Sequence, residues 1–88
     1  MKKLVEVVEE DGEGLVALLG DRVTLFCMNY IYTGKLVGVN DTFVKMEDAA
    51  IVYETGPLCD SSWKDAQDLP NALYVQLASI ESFMIMKG

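Results

Sequence analysis

From Arg22 onward the chain is a succession of short apolar and β-branched runs cut by turn residues, and no segment sustains an apolar spacing of 3.6 residues. That pattern predicts an all-β fold. Residues 23–28 form a first predicted strand, Asn29-Tyr30 a tight turn, and residues 31–39 a second strand. Gly34 and Gly38 fall inside that second strand, where glycines mark bulges or the sharp bends of a small barrel. Asn40-Asp41 turns the chain again, and residues 42–53 give a third strand with a kink at Glu47-Asp48. Residues 72–77 and 80–86 are the last two β runs, with only Ala78-Ser79 between them. So short a joint suits a corner at which the chain crosses from one sheet to another. The expected architecture is a five-stranded, strongly bent, partly open SH3-like barrel.

What precedes the barrel follows a different logic. Residues 15–19 are apolar and end at Gly20, which reads as a short helix with a glycine at its C-terminal end. Residues 1–13 hold Glu6, Glu9, Glu10, Asp11 and Glu13. Three valines, and a run that starts with Lys and finishes with Glu, oppose both helix propensity and the helix dipole. These residues are expected to form an acidic arm or strand, and residues 14–88 the barrel domain. At 88 residues the chain has room for one hydrophobic core. Residues 55–71 contain both prolines and the only Trp, and are predicted to be the one long variable loop.

Charge and residue types narrow the chemistry. Fourteen acids against seven bases leave a net charge of −7, which repels phosphate at long range. There is no His, so the usual general base, the usual zinc ligand and every Ser-His or Cys-His nucleophile are missing. The chain is not expected to be an enzyme, to hold a metal or cofactor, or to act on a small-molecule substrate. Asp60, Asp65 and Asp68 lack the spacing of a calcium loop and are read as a solvated acidic segment. Cys27 and Cys59 show no Cys-x-x-Cys spacing; Cys27 is read as a core thiol and Cys59 as a loop thiol, with a disulfide between them relevant only in an oxidising compartment. No apolar run approaches the roughly 20 residues of a membrane span. Acids interrupt any export signal, so no membrane partner and a cytoplasmic location are expected.

The order of a short helix, five strands and a tight corner resembles the Sm/LSm family of small RNA-associated ring proteins, to which Hfq is related. The likeness covers roughly residues 15–86. Gly20-Asp-Arg-Val-Thr-Leu25 is similar to the start of the family's first strand. Tyr32-Thr-Gly-Lys-Leu-Val-Gly-Val39 resembles its first motif, with Gly34 at the bend, and Met46-Glu-Asp-Ala49 resembles that motif's end. Leu73-Tyr-Val-Gln-Leu-Ala-Ser-Ile-Glu-Ser-Phe83 is similar to the second motif. The resemblance implies an Sm-like ring that binds single-stranded RNA or acts as an RNA chaperone, holding a base near the loop between the second and third strands. That loop is Asn40-Asp41-Thr42-Phe43 here, one residue shorter than the family's, and the second motif's Arg-Gly pair falls on Gln76-Leu77.

The candidate RNA-binding residues are therefore Asn40, Asp41, Phe43, Lys45 and Gln76. Alternation places Phe43 and Lys45 on one face and Val44 and Met46 on the other, so Phe43 is either a stacking platform or part of the core. Gln76 either reaches a base edge or is a solvated strand residue, and Trp63 either lids one barrel end or meets a partner. Tyr74, Phe83, Met84, Ile85 and Met86 give the last strands apolar side chains where polar ones would be expected. Such edges are made to be covered, and the resemblance implies that neighbouring subunits cover them by strand pairing around a ring. Tyr74, Phe83, Met84, Ile85 and Met86 are the candidate interface of a homo-oligomer. The alternative function is an assembly module of the same fold that binds protein and has lost RNA binding.

Overall fold

A computed structural model of the chain describes residues 4–8 and 12–85. It is mostly β: one short helix, α1 (Gly14–Ala17), and six strands, β1 (Arg22–Cys27), β2 (Ile31–Val39), β3 (Phe43–Glu54), β4 (Asp65–Asp68), β5 (Leu73–Gln76) and β6 (Ile80–Ile85). The predicted helix shortens to one turn, and Gly20, at φ +93°, redirects the chain into β1. No strand runs through residues 4–8, whose apolar side chains are exposed.

All pairings are antiparallel, and the sheet runs β4-β3-β2-β1-β6, with β5 also on β3. The expectation of five strands is corrected to six, and the reason lies in β3. Its C-terminal half pairs with β4, from Ala50↔Asp68 to Glu54↔Asp65, and its N-terminal half pairs with β5, from Phe43↔Gln76 to Met46↔Leu73. The six strands thus fill five positions, because β4 and β5 are two halves of one position interrupted at residues 69–72. Asp65-Ala-Gln-Asp68 contains no β-branched or aromatic residue, so nothing in its side chains announces a strand. Backbone pairing with the otherwise unpaired edge of β3 recruits it, and all four of its residues stay exposed. The predicted loop 55–71 accordingly contains a strand and is irregular mainly over residues 55–64.

The kink expected at Glu47-Asp48 is present as a bulge. Asp48 has φ +49°, and the β2–β3 register slips between Thr33↔Ala50 and Lys35↔Glu47. Leu69 N–H donates to Ala49 C=O at 2.8 Å, so the break between β4 and β5 sits against this same bulge. The corner after β5 is a 3-10 turn, Leu77–Ser79.

Val23, Leu25, Leu36, Val44 and Met46 are fully buried, and with Leu15, Ala49 and Val75 they form the core. Residues 44 and 46 point inward as alternation requires. Thr24 and Thr33 are buried as well; the Thr24 hydroxyl donates to the Thr33 Oγ1 at 3.3 Å, and the Thr33 hydroxyl reaches Val23 C=O at 3.2 Å. The sheet does not close. Among the described residues β5 pairs only with β3 and β6 only with β1, so each presents an unpaired edge. No helix among these residues is long and apolar enough to cross a membrane.

Candidate functional site

Two segments more than thirty residues apart in sequence meet at one end of the sheet. The turn between β2 and β3 is closed by Asn40, whose backbone N–H donates to Phe43 C=O at 3.0 Å. Its side-chain Oδ1 accepts from Thr42 N–H at 2.7 Å and from Phe43 N–H at 2.8 Å. An Asn at the head of a tight turn forms this arrangement readily, because its short carbonyl arm reaches the amides two and three residues on. The corner after β5 then docks on the turn: Leu77 N–H donates to Thr42 C=O at 2.9 Å.

The cross-strand register aligns the side chains. Phe43 faces Gln76 and Lys45 faces Tyr74, while Val44 and Val75 beneath them are buried. Phe43 is 36% exposed, which decides its orientation: it belongs to the outer face. Its ring meets the Tyr74 ring edge-on, with centroids 5.5 Å apart and planes at 84°. Lys45 Nζ lies 5.7 Å from the Tyr74 centroid, in cation–π range. Asn40, Phe43, Lys45 and Tyr74, with Gly38 and Val39, line a hollow of about 250 Å³.

The candidate residues therefore divide. Asn40, Phe43 and Lys45 come together. Asp41 does not line that hollow; it lines a second one of about 310 Å³, which shares Val39 and Asn40 with the first and adds Leu15, Val16 and Leu77. Gln76 is exposed beside Phe43 and lines a third hollow, reaching towards the β1–β2 turn. Tyr74, read from sequence as an interface residue, is placed in the same patch as Phe43 and Lys45. Its position two residues before Gln76 was the available signal, because residues two apart on a strand share a face.

The site offers a stacking surface, one cation and two side-chain amides. The oxygen of Asn40 is already engaged by the turn, which leaves its NH₂ to face outward ligands. At the sheet edge, Phe83, Met84 and Ile85 are 38%, 50% and 59% exposed. Met86 lies outside the described residues. Among those residues no cluster of three or more His, Cys, Asp or Glu is placed to hold a metal ion. Compared with known proteins, the chain matches no family model, no curated protein and no solved structure.

Proposed function

We propose that this chain is an Sm-like protein that assembles into a homo-oligomeric ring and binds single-stranded RNA on the patch formed by Asn40, Phe43, Lys45, Tyr74 and Gln76. The observation that carries the reading is the junction of Leu77 with Thr42, which joins the two segments resembling the family's motifs into one aromatic and polar surface. The strand order supports the fold half of the reading. With β4 and β5 counted as one interrupted position, a short helix is followed by five bent strand positions, and the first and last are neighbours, as in a small open barrel.

Assembly answers a physical need. The free edges of β5 and β6 expose unpaired backbone groups, and β6 adds exposed Phe83, Met84 and Ile85. Pairing the β6 edge of one copy with the β5 edge of the next satisfies both edges, and a head-to-tail contact of this kind generates a ring when its rotation closes.

A second reading is favoured by the net charge of −7 and by the engagement of the Asn40 oxygen in its own turn. In that reading the same ring is a protein-assembly module without RNA binding. A salt-titrated binding measurement with short oligo-U and oligo-A separates the two. Saturable binding by the oligomer at low salt supports RNA binding; no binding of either homopolymer by an intact oligomer leaves the assembly module.

A further inference from the structure

All four tyrosines of the chain lie on or beside the hollows that flank the β1–β2 turn. Tyr30, Tyr32 and Tyr74 line one of about 300 Å³, and Tyr30 and Tyr53 line an adjoining one of similar size. The first lies at the lower end of the range of small-ligand sites. Tyr30 immediately precedes β2 and Tyr32 is its second residue. Their rings sit 6.3 Å apart, centroid to centroid, with planes tilted by 53°. Two faces at that distance and tilt form a corner rather than a stack. Tyr74 lines the same hollow, as do Asn29, Gln76 and Ser79.

Charge then decides what such a corner accepts. Among the described residues that line this hollow there is no Lys or Arg, so a phosphate or carboxylate would enter without a partner. The local field has the opposite sign: burial, and after it the Glu81 carboxylate, push the Cys27 thiol on the hollow's wall above its usual range. Lys45 lies over the Tyr74 ring, 5.7 Å from its centroid, and lines the hollow beside Phe43 rather than this one. A group of tyrosine rings around a hollow that no Lys or Arg lines attracts a soft organic cation, whose charge interacts with the ring quadrupoles and whose methyl groups are desolvated by the rings.

We infer that the hollow between Tyr30, Tyr32 and Tyr74 is a binding site for a methylated ammonium group, such as that of choline or a methylated lysine side chain. Tyr30 and Tyr32 supply the two principal faces and Tyr74 the third wall. The site shares Tyr74 and Gln76 with the patch proposed for RNA but not the Asn40 turn, Phe43 or Lys45, and binding of a small cation is read out without a nucleic acid.

The test is a titration of the intact oligomer or monomer, as the protein exists in solution, with choline followed by NMR amide shifts. Saturable shifts at residues 29–32 and 74–76 are expected. The uncharged isostere 3,3-dimethylbutan-1-ol is expected to bind about fivefold or more weakly, as is choline to the Tyr30→Leu variant. Tyr30 is half-exposed, so this variant is expected to fold, and Tyr30→Phe, which keeps the ring, should stay within about twofold of the parent. Equal binding of choline and its isostere would overturn the inference, as would unchanged affinity in Tyr30→Leu. Stronger shifts at these residues with uridine or adenosine than with choline would replace it with a site for a planar base.

Discussion

Gly34 and Ala49 approach so closely across β2 and β3 that a Cβ on Gly34 would lie 3.0 Å from the Ala49 Cα and 3.1 Å from its Cβ, with Glu47 C=O also at 3.1 Å. The neighbouring atoms are backbone and a short side chain inside the bulge at Asp48, so they have little freedom to move. Gly34 is thus the residue that lets β3 fold over β2.

The two strand glycines should respond differently to substitution. Gly34→Ala is expected to cost about 1–3 kcal/mol, the range of core overpacking, and Gly34→Val more. At Gly38 an added Cβ would meet only the Lys45 Cβ, at 3.5 Å, an ordinary contact. Gly38→Ala should be neutral or slightly stabilising, because Ala loses less conformational freedom on folding. Urea midpoints of the two variants measure the contrast, and equal losses at both positions would show that the Ala49 contact is not what requires glycine.

The same pair shows what could be read from the chain before its structure. Glycines inside an apolar β run announced a bend, and Glu47-Asp48 announced a kink, because each is a local preference written in residue type. Alternation likewise set Phe43 on the face opposite Val44 and Met46, but which of the two faces is the core shows only in the burial of Val44 and Met46. Strand β4 was invisible for the complementary reason: Asp65-Ala-Gln-Asp68 has no strand preference of its own and is held by the edge of β3, a tertiary cause. The docking of Leu77 on Thr42 and the corner of Tyr30 with Tyr32 depend on how the sheet coils, which no short window of sequence records.

The 40–43 turn makes a second prediction. Asn40→Ala removes the acceptor of two backbone N–H groups and is expected to destabilise the protein by about 1 kcal/mol, as for comparable side-chain caps. Asn40→Asp keeps an oxygen in the same place and should stay within about 0.5 kcal/mol of the parent. Thermal or urea unfolding of both distinguishes them; a matching loss in the two would assign the role to the amide NH₂ instead.

The two thiols should differ in reactivity. Cys59 is exposed, whereas Cys27 is partly buried, with burial and then Glu81 raising its pKa. Since the thiolate is the reactive form, a raised pKa leaves Cys27 protonated to higher pH than an unperturbed thiol. With iodoacetamide at pH 8 the native protein should be alkylated at Cys59 first. Cys27 should catch up as pH rises further or on unfolding. Peptide mass mapping over time reads the order, and faster modification of Cys27 would contradict the placement of its thiol.

Assembly is tested at the free edges. Light scattering coupled to size exclusion should give several times the mass of one chain at micromolar concentration. Ile85→Asp places a charge on the exposed apolar end of β6, where it touches little within its own subunit. It is expected to lower the oligomer mass while leaving the circular dichroism of the subunit unchanged. A monodisperse monomer in the parent protein would remove the ring.

The final prediction concerns how an acidic chain would hold RNA. With a net charge of −7, and Lys45 the only base lining the patch beside Phe43, few phosphates are neutralised at each site. Binding must come from short-range contacts: Phe43 and Tyr74 as stacking surfaces, Gln76 and the Asn40 NH₂ as hydrogen-bonding groups. Repetition around a ring makes such contacts useful, because once one site is occupied the next meets the same strand at high effective concentration. Affinity for oligonucleotides should therefore fall only gently with salt, unlike that of a basic groove. Phe43→Ala should weaken binding by about 1–3 kcal/mol, the usual worth of one base stacked on an aromatic ring, with the oligomer mass unchanged. Fluorescence anisotropy with labelled oligo-U and oligo-A at several salt concentrations measures both effects. A steep salt dependence would move the contact away from this patch, and Phe43→Ala binding as tightly as the parent would remove Phe43 as its platform.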